Sequence, residues 1–157
     1  MRRYNLHTAE AEYDTTDPDG FHAGEAARVS PAIGARDLVG RMYELPAGES
    51  NCPYHYEYGC DEWLIVLSGR VHVRHPEGEE ELDAGDVVCF PEGPEGAHRI
   101  TGASEDPARV LMLSKEVQPA VSVYPDSDKI GVWTRDEADD AMLHRRDGRV
   151  DYWEGER

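Results

Sequence analysis

The stretch Pro53-Tyr-His-Tyr-Glu-Tyr-Gly-Cys-Asp-Glu-Trp-Leu-Ile-Val-Leu-Ser-Gly69 decides how the rest of this 157-residue chain is read. It begins with aromatic residues alternating with polar ones, breaks at Gly59, and ends in an apolar strand closed by Gly69. Side chains alternate faces along a strand, so His55 and Glu57 project together while Tyr54, Tyr56 and Tyr58 project outward, against an arm or a partner. Glu62 lies five residues past Glu57, the wrong parity for one straight strand. A turn at Gly59 resets the register and returns Glu62 beside Glu57 on the next strand, with Asp61 facing away. Downstream, Phe90-Pro-Glu-Gly-Pro-Glu-Gly-Ala-His-Arg99 delivers His98 behind a Gly/Pro-rich turn. Two imidazoles and two carboxylates, from His55, Glu57, Glu62 and His98, make a candidate site for one divalent metal ion. Glu57 is the weakest of the four, and Glu62 reads either as a ligand or as the group that orients a histidine.

Working outward, the glycines from Gly48 to Gly102 recur at intervals of no more than eleven residues, which suits short strands joined by turns. Strands are expected over Leu38 to Leu45, Trp63 to Leu67, Val71 to His75, Val87 to Phe90 and Arg109 to Leu113. Pro76-Glu-Gly78 and Asp83-Ala-Gly-Asp86 supply the hairpin turns. The expected fold is all-β, an antiparallel sandwich or small barrel, with a jelly roll among the ways to close it. Trp63-Leu-Ile-Val-Leu67 is apolar on both faces, so a terminal arm or a second subunit should cover its outer side. Residues 1–35 read as an arm with one or two short strands and a break at Asp17-Pro-Asp-Gly20. Residues 116–157 read as a C-terminal extension, with a short helix after Thr134 and a strand over Val150 to Trp153.

These residues carry a family resemblance. Gly48, six residues, His55-x-Glu57, four residues, Glu62, six residues and Gly69 resemble the first motif of the cupin superfamily. Gly85, five residues, Pro91-x-Gly93 and then His98 resemble its second. The fuller wording, with Tyr124-Pro-Asp-Ser-Asp-Lys129 downstream, is similar to a group of small single-domain cupins of the mannose-6-phosphate-isomerase-like kind. The resemblance covers roughly residues 36–115 and implies a double-stranded β-helix, or jelly-roll barrel, with N- and C-terminal extensions on one domain spanning 1–157. It implies that His55, Glu62 and His98 are ligands of one divalent metal inside the barrel. The sequence departs from the pattern where Glu57 replaces the second histidine. It also holds four residues between Gly93 and His98 in place of two, and Gly102 where asparagine is common.

Composition narrows the partners. With 16 basic and 33 acidic residues the net charge is −17, so the surface should repel nucleic-acid phosphates and anionic lipid. Neither nucleic acid nor membrane is an expected partner, and the acidity serves solubility. Met1-Arg2-Arg3 leads into polar residues without an apolar signal core, so a soluble, cytoplasmic protein is expected. Cys52, Cys60 and Cys89 form no C-x-x-C pair, which fits a reducing compartment. A zinc site built on Cys52, His55 and Cys60 is weaker than the His/Glu reading, because structural zinc wants a closed set of four ligands. His7, His22, His72, His75 and His144 read as surface histidines.

The donor set suits Fe(II), Mn(II) or Ni(II), and zinc would accept it as a tetrahedron. With no nucleophile elbow and no phosphate-cradling glycine loop, any chemistry is expected at the metal. The expected function is a metal-dependent enzyme acting on a small molecule, of oxygenase or isomerase type, with Arg41 and Arg99 as candidate anchors for an anion and Arg99 the more outward of the two. The alternative is a non-catalytic small-molecule-binding module, and a third reading makes the metal a structural staple. A homodimer is expected from the resemblance, since such cupins pair through sheet faces.

Overall fold

The computed structural model describes residues 1–134 and 142–156. The strands run in chain order as β1 (Glu12–Tyr13), β2 (Gly24–Arg28), β3 (Leu38–Leu45), β4 (Tyr56–Tyr58), β5 (Glu62–Ser68), β6 (Arg70–His75) and β7 (Gly78–Asp83). They continue as β8 (Val87–Phe90), β9 (Arg99–Gly102), β10 (Ala108–Lys115), β11 (Ala120–Tyr124), β12 (Lys129–Trp133) and β13 (Met142–Arg145). Among the described residues the α-helical content is one five-residue turn, α1 (Val29–Ile33). Every strand pairing is antiparallel, in three sheets ordered β1-β2-β3-β10-β5-β8, β13-β12-β11-β4 and β7-β6-β9.

Local chemistry explains the hairpins. Pro76-Glu77 turns the chain between β6 and β7, where His75 pairs with Gly78, and the Asp86 amide donates to the Asp83 carbonyl before β8. Gly59 adopts φ +89°, a left-handed conformation that side chains disfavour, and it separates β4 from β5 as the parity argument requires. At Gly102 the constraint is space. A Cβ there would lie 2.2 Å from the Pro46 carbonyl oxygen, so this position takes no asparagine or any other side chain.

Alternation along β5 places Glu62, Leu64 and Val66 on one face. Leu64 and Val66 are buried with Val71, Ile100, Val110 and Leu45 in the main core between the six- and three-stranded sheets. Each such side chain contributes about 1.5–3 kcal/mol by leaving water. The row ends in polar groups: Glu62 is paired across to Ser114, and Met112, opposite Leu64, is paired on its other side to Arg41. The apolar layer therefore forms the floor of a polar cavity.

On the outer face of β10, Arg109 donates to the carbonyls of Leu6 (3.1 Å), His7 (2.8 Å) and Ala9 (3.0 Å) and pairs with Glu44, strapping the N-terminal arm across the sheet. The arm thus lies over β10, the neighbour of β5 in the sheet. It leaves Trp63 and Val87, on β5 and the adjoining β8, half exposed.

Tyr56 and Tyr58 alternate with Glu57 as parity requires, and Tyr54 and Tyr56 pack against the C-terminal extension: they are buried with Ala97 and Val123 in a second small core, with Ile130 against it, where β11 pairs edge to edge with β4. One expectation is corrected. Residues Val150 to Trp153 form no strand. The Asp151 side chain accepts from the Trp153 amide and its carbonyl from Glu154, which closes a turn, and the strand of this region is β13 on the free edge of β12. The helix expected after Thr134 falls in residues 135–141, outside those described.

Candidate metal centre

His55 and His98 face each other across the junction of two sheets. The His55 amide donates to the His98 carbonyl (3.1 Å) and the His98 amide to the His55 carbonyl (2.8 Å), an isolated antiparallel bridge between the residues that immediately precede β4 and β9. Each ring also bonds to backbone two residues upstream, His55 Nδ1 to the Pro53 carbonyl (3.0 Å) and His98 Nδ1 to the Gly96 carbonyl (2.9 Å). A carbonyl only accepts, so both Nδ1 atoms carry the proton and both Nε2 atoms present a lone pair.

Those lone pairs converge on Glu62, whose Oε2 lies 3.8 Å from His55 Nε2 and 3.5 Å from His98 Nε2. One ligating atom from each of the three residues falls within 4.8 Å of the others. His98 is locked between the Phe90 ring, stacked at 3.8 Å, and the His55 ring at 4.7 Å. Its Nε2 is buried without a hydrogen-bond partner. An orphaned acceptor of this kind, beside a carboxyl and a second imidazole, is what a metal site needs and a purely structural histidine lacks.

Electrostatics make the cluster a neutral one. Burial, reinforced by His55, pushes His98 down to about 3, against the hydrogen bond to Gly96. Burial likewise lowers His55. Glu62 is pushed up to about 8, by burial first and by the Glu57 carboxylate second, with Arg41 opposing. The close His98–Glu62 approach is therefore a carboxylic acid beside a neutral imidazole at pH 7, and no ion pair. A divalent cation would replace the carboxyl proton of Glu62 and take up the Nε2 lone pair of His98, so its binding should release a proton.

Glu57 lines the same cavity but lies outside the three-residue cluster. Its Oε1 accepts from Ser122 Oγ at 3.1 Å and its Oε2 from Cys60 Sγ at 3.3 Å. Cys52 Sγ sits 3.5 Å from His55 Nδ1, on the side of the ring away from Glu62. Asp61 faces away as expected and accepts from the Glu92 amide. The cavity, of about 530 Å³, is also lined by Arg41, Asn51, Ser122 and Tyr124. Sequence reasoning missed Asn51, Ser122 and Tyr124 as lining residues. For the last two, the alternation of β11 opposite Glu57 was the available signal.

This arrangement, antiparallel sheets around a His/Glu cluster set on an apolar floor, defines a class of small β-proteins. The family model for the cupin domain matches residues 41–114, just under half of the chain, so this stretch is a cupin domain, and the chain has the double-stranded β-helix fold of that superfamily. Among solved structures, a cupin-superfamily sugar phosphate isomerase from Silicibacter pomeroyi is similar at 21% identity and TM-score 0.78, over 93% of this chain and 94% of that one. A protein provisionally named sugar phosphate isomerase from Acidithiobacillus ferrooxidans aligns at 21% identity and TM-score 0.75, over 91% and 88%. The polyketide cyclase RemF from Streptomyces resistomycificus aligns at 21% and 0.61, over 76% and 83%. At these identities the likeness is one of fold. No curated protein matches the sequence.

Proposed function

We propose that this cupin is a metal-dependent enzyme acting on a small molecule, of isomerase or oxygenase type, with His55, Glu62 and His98 holding one divalent ion and Glu57 as the fourth and weakest ligand. The observation that carries the reading is the buried, unpartnered Nε2 of His98 aimed at the same point as Glu62 and His55. Two imidazoles with carboxylates suit iron, manganese, nickel or zinc. When bound, such an ion supplies Lewis acidity, polarising a substrate oxygen or acidifying a water. The residues do the rest. The Nδ1 bonds to Pro53 and Gly96 hold the imidazoles in one tautomer, the Phe90 stack fixes the ring plane, and the apolar layer beneath Glu62 excludes water from below. Fold relatives named as a sugar phosphate isomerase and a polyketide cyclase are consistent with small-molecule chemistry in this cavity.

The test is elemental analysis by plasma mass spectrometry on tag-free protein purified without chelators. About one transition-metal ion per chain is expected, and His98→Ala should lower occupancy at least tenfold with the fold intact by circular dichroism. Full occupancy in His98→Ala would overturn the assignment. The same reading includes a homodimer formed through the outer face around Trp63 and Val87.

A further inference from the structure

The cavity holds a charge that the metal reading does not use. Arg41 sits on the inward face of β3, opposite Met112, in the wall of the cavity that contains His55, Glu62 and His98. It is half-buried, and the hydroxyl of Tyr43, itself half-buried on the same face, stands beside it. No carboxylate of the described residues comes within 4.0 Å of it; Glu25 and Glu57 act on it only from further off. A guanidinium taken partly out of water keeps its charge, and it presents a rigid fork of donors that matches the two oxygens of a carboxylate. An inward arginine that has a tyrosine beside it and no acid in contact is a receptor for an anion.

The charge of the site fixes what anion. With a divalent ion in place, the lining charges are that ion, Arg41, Glu57 and Glu62, with both histidines neutral, and they leave a single positive charge, which Glu25 offsets in part because its field reaches Arg41 and Tyr43 from outside the lining. Lys115 and Glu116 cancel at the rim. One negative charge neutralises the cavity, whereas a phosphate dianion would leave an excess in a place of low polarisability. A second unfilled group lies in the same wall, where Asn51 Oδ1 is buried without a partner and calls for a hydroxyl or amine donor.

We propose that the cavity binds a small hydroxylated organic monocarboxylate, its carboxylate forked by Arg41 with support from Tyr43 and its hydroxyls reaching Asn51 and the metal side of the pocket. This rests on the metal reading for the charge count and stands on Arg41 for the contact. The cavity volume suits a molecule the size of a sugar acid.

The experiment is calorimetric titration of zinc-reconstituted full-length protein with gluconate, acetate and inorganic phosphate, alongside Arg41→Met and Arg41→Lys, with zinc content and melting temperature measured on every sample. Gluconate binding tighter than acetate or phosphate is expected, with a loss of at least tenfold in Arg41→Met at unchanged zinc content and partial retention in Arg41→Lys. Equal gluconate affinity in wild type and Arg41→Met, or a preference for phosphate, overturns the proposal, and acetate binding as tightly as gluconate overturns the hydroxyl contact. If Arg41→Met is misfolded by its melting curve, the Lys variant decides: an affinity equal to wild type in a chain unable to fork overturns the proposal. If the wild type takes up no zinc, the metal reading has failed by itself. The titration is then read on the metal-free chain, where gluconate binding that the Arg41 variants weaken upholds the proposal and its absence overturns it.

Discussion

Glu62 and His98 depart from their ordinary proton affinities in opposite directions, so the metal-free protein should show the departures in its pH-dependent stability. Glu62 binds its proton more tightly in the folded chain, up to about 8, so that stabilisation is lost as pH rises from the ordinary carboxyl range through about 8. His98 is depressed to about 3, so its contribution is present above its ordinary value near 6.5 and is lost as pH falls. Between pH 4.5 and 6.5 the two oppose each other; from pH 6.5 to 8 the histidine is neutral in both states and Glu62 acts alone. The melting temperature of the chelated protein should therefore fall by about 5 °C or more between pH 6.5 and 8.5 in scanning calorimetry, and Glu62→Gln should flatten that slope. An unchanged slope in the variant would show that Glu62 is not the titrating group. For Glu57, engaged by Ser122 and Cys60, the expectation is milder. Glu57→Gln should weaken metal binding about tenfold or less by competition with a chelator, where His98→Ala weakens it at least tenfold. At this scale parity and the Gly59 turn anticipated the return of Glu62 to the face of His55, the family resemblance added His98, and the three side chains do come within 4.8 Å of one another. The position of Glu57 outside the cluster did not follow, because parity says which way a side chain points and nothing about a serine and a thiol arriving from β11 and the Gly59 turn.

Elements bounded by glycine and proline turns were readable at their limits. Leu38–Leu45 and Val87–Phe90 occupy the bounds expected of them, and the β6–β7 hairpin turns at Pro76. Elements decided by distant partners were not. Tyr54 and Tyr56 are buried because Val123 and Ile130, some seventy residues further on, pack on them, and the C-terminal residues pair at Met142–Arg145 because β12 offers an edge there. The arm is a third such case, since nothing near Arg109 in sequence announces that it will hold the carbonyls of Leu6, His7 and Ala9. Arg109→Ala should free the arm. Amide exchange in residues 5–13 is expected to accelerate at least tenfold by mass spectrometry while metal content stays the same; unchanged exchange would mean that β1 and β2 hold the arm without the strap. On β5, Leu64→Ala should cost about 2–5 kcal/mol in denaturant titration, since it empties a fully buried site in the floor of the cavity.

For the whole molecule, a net charge of −17 and an uncharged patch at Trp63 and Val87 act against each other in self-association. Like copies repel at long range, and salt screens that repulsion within about 8 Å at physiological strength. Equilibrium sedimentation should find a dimer that tightens as salt is raised, and Trp63→Glu should make the protein monomeric at micromolar concentration. A wild-type monomer at every salt concentration would remove the dimer from the functional reading. The reciprocal amide bonds of His55 and His98 carry a further consequence. The two residues whose imidazoles would grip an ion also stitch the β4 sheet to the β9 sheet through their backbones, so the grip does not exist until the two sheets have met. Loaded metal would act as a rivet through that seam, and its uptake would report, chain by chain, that the seam has closed.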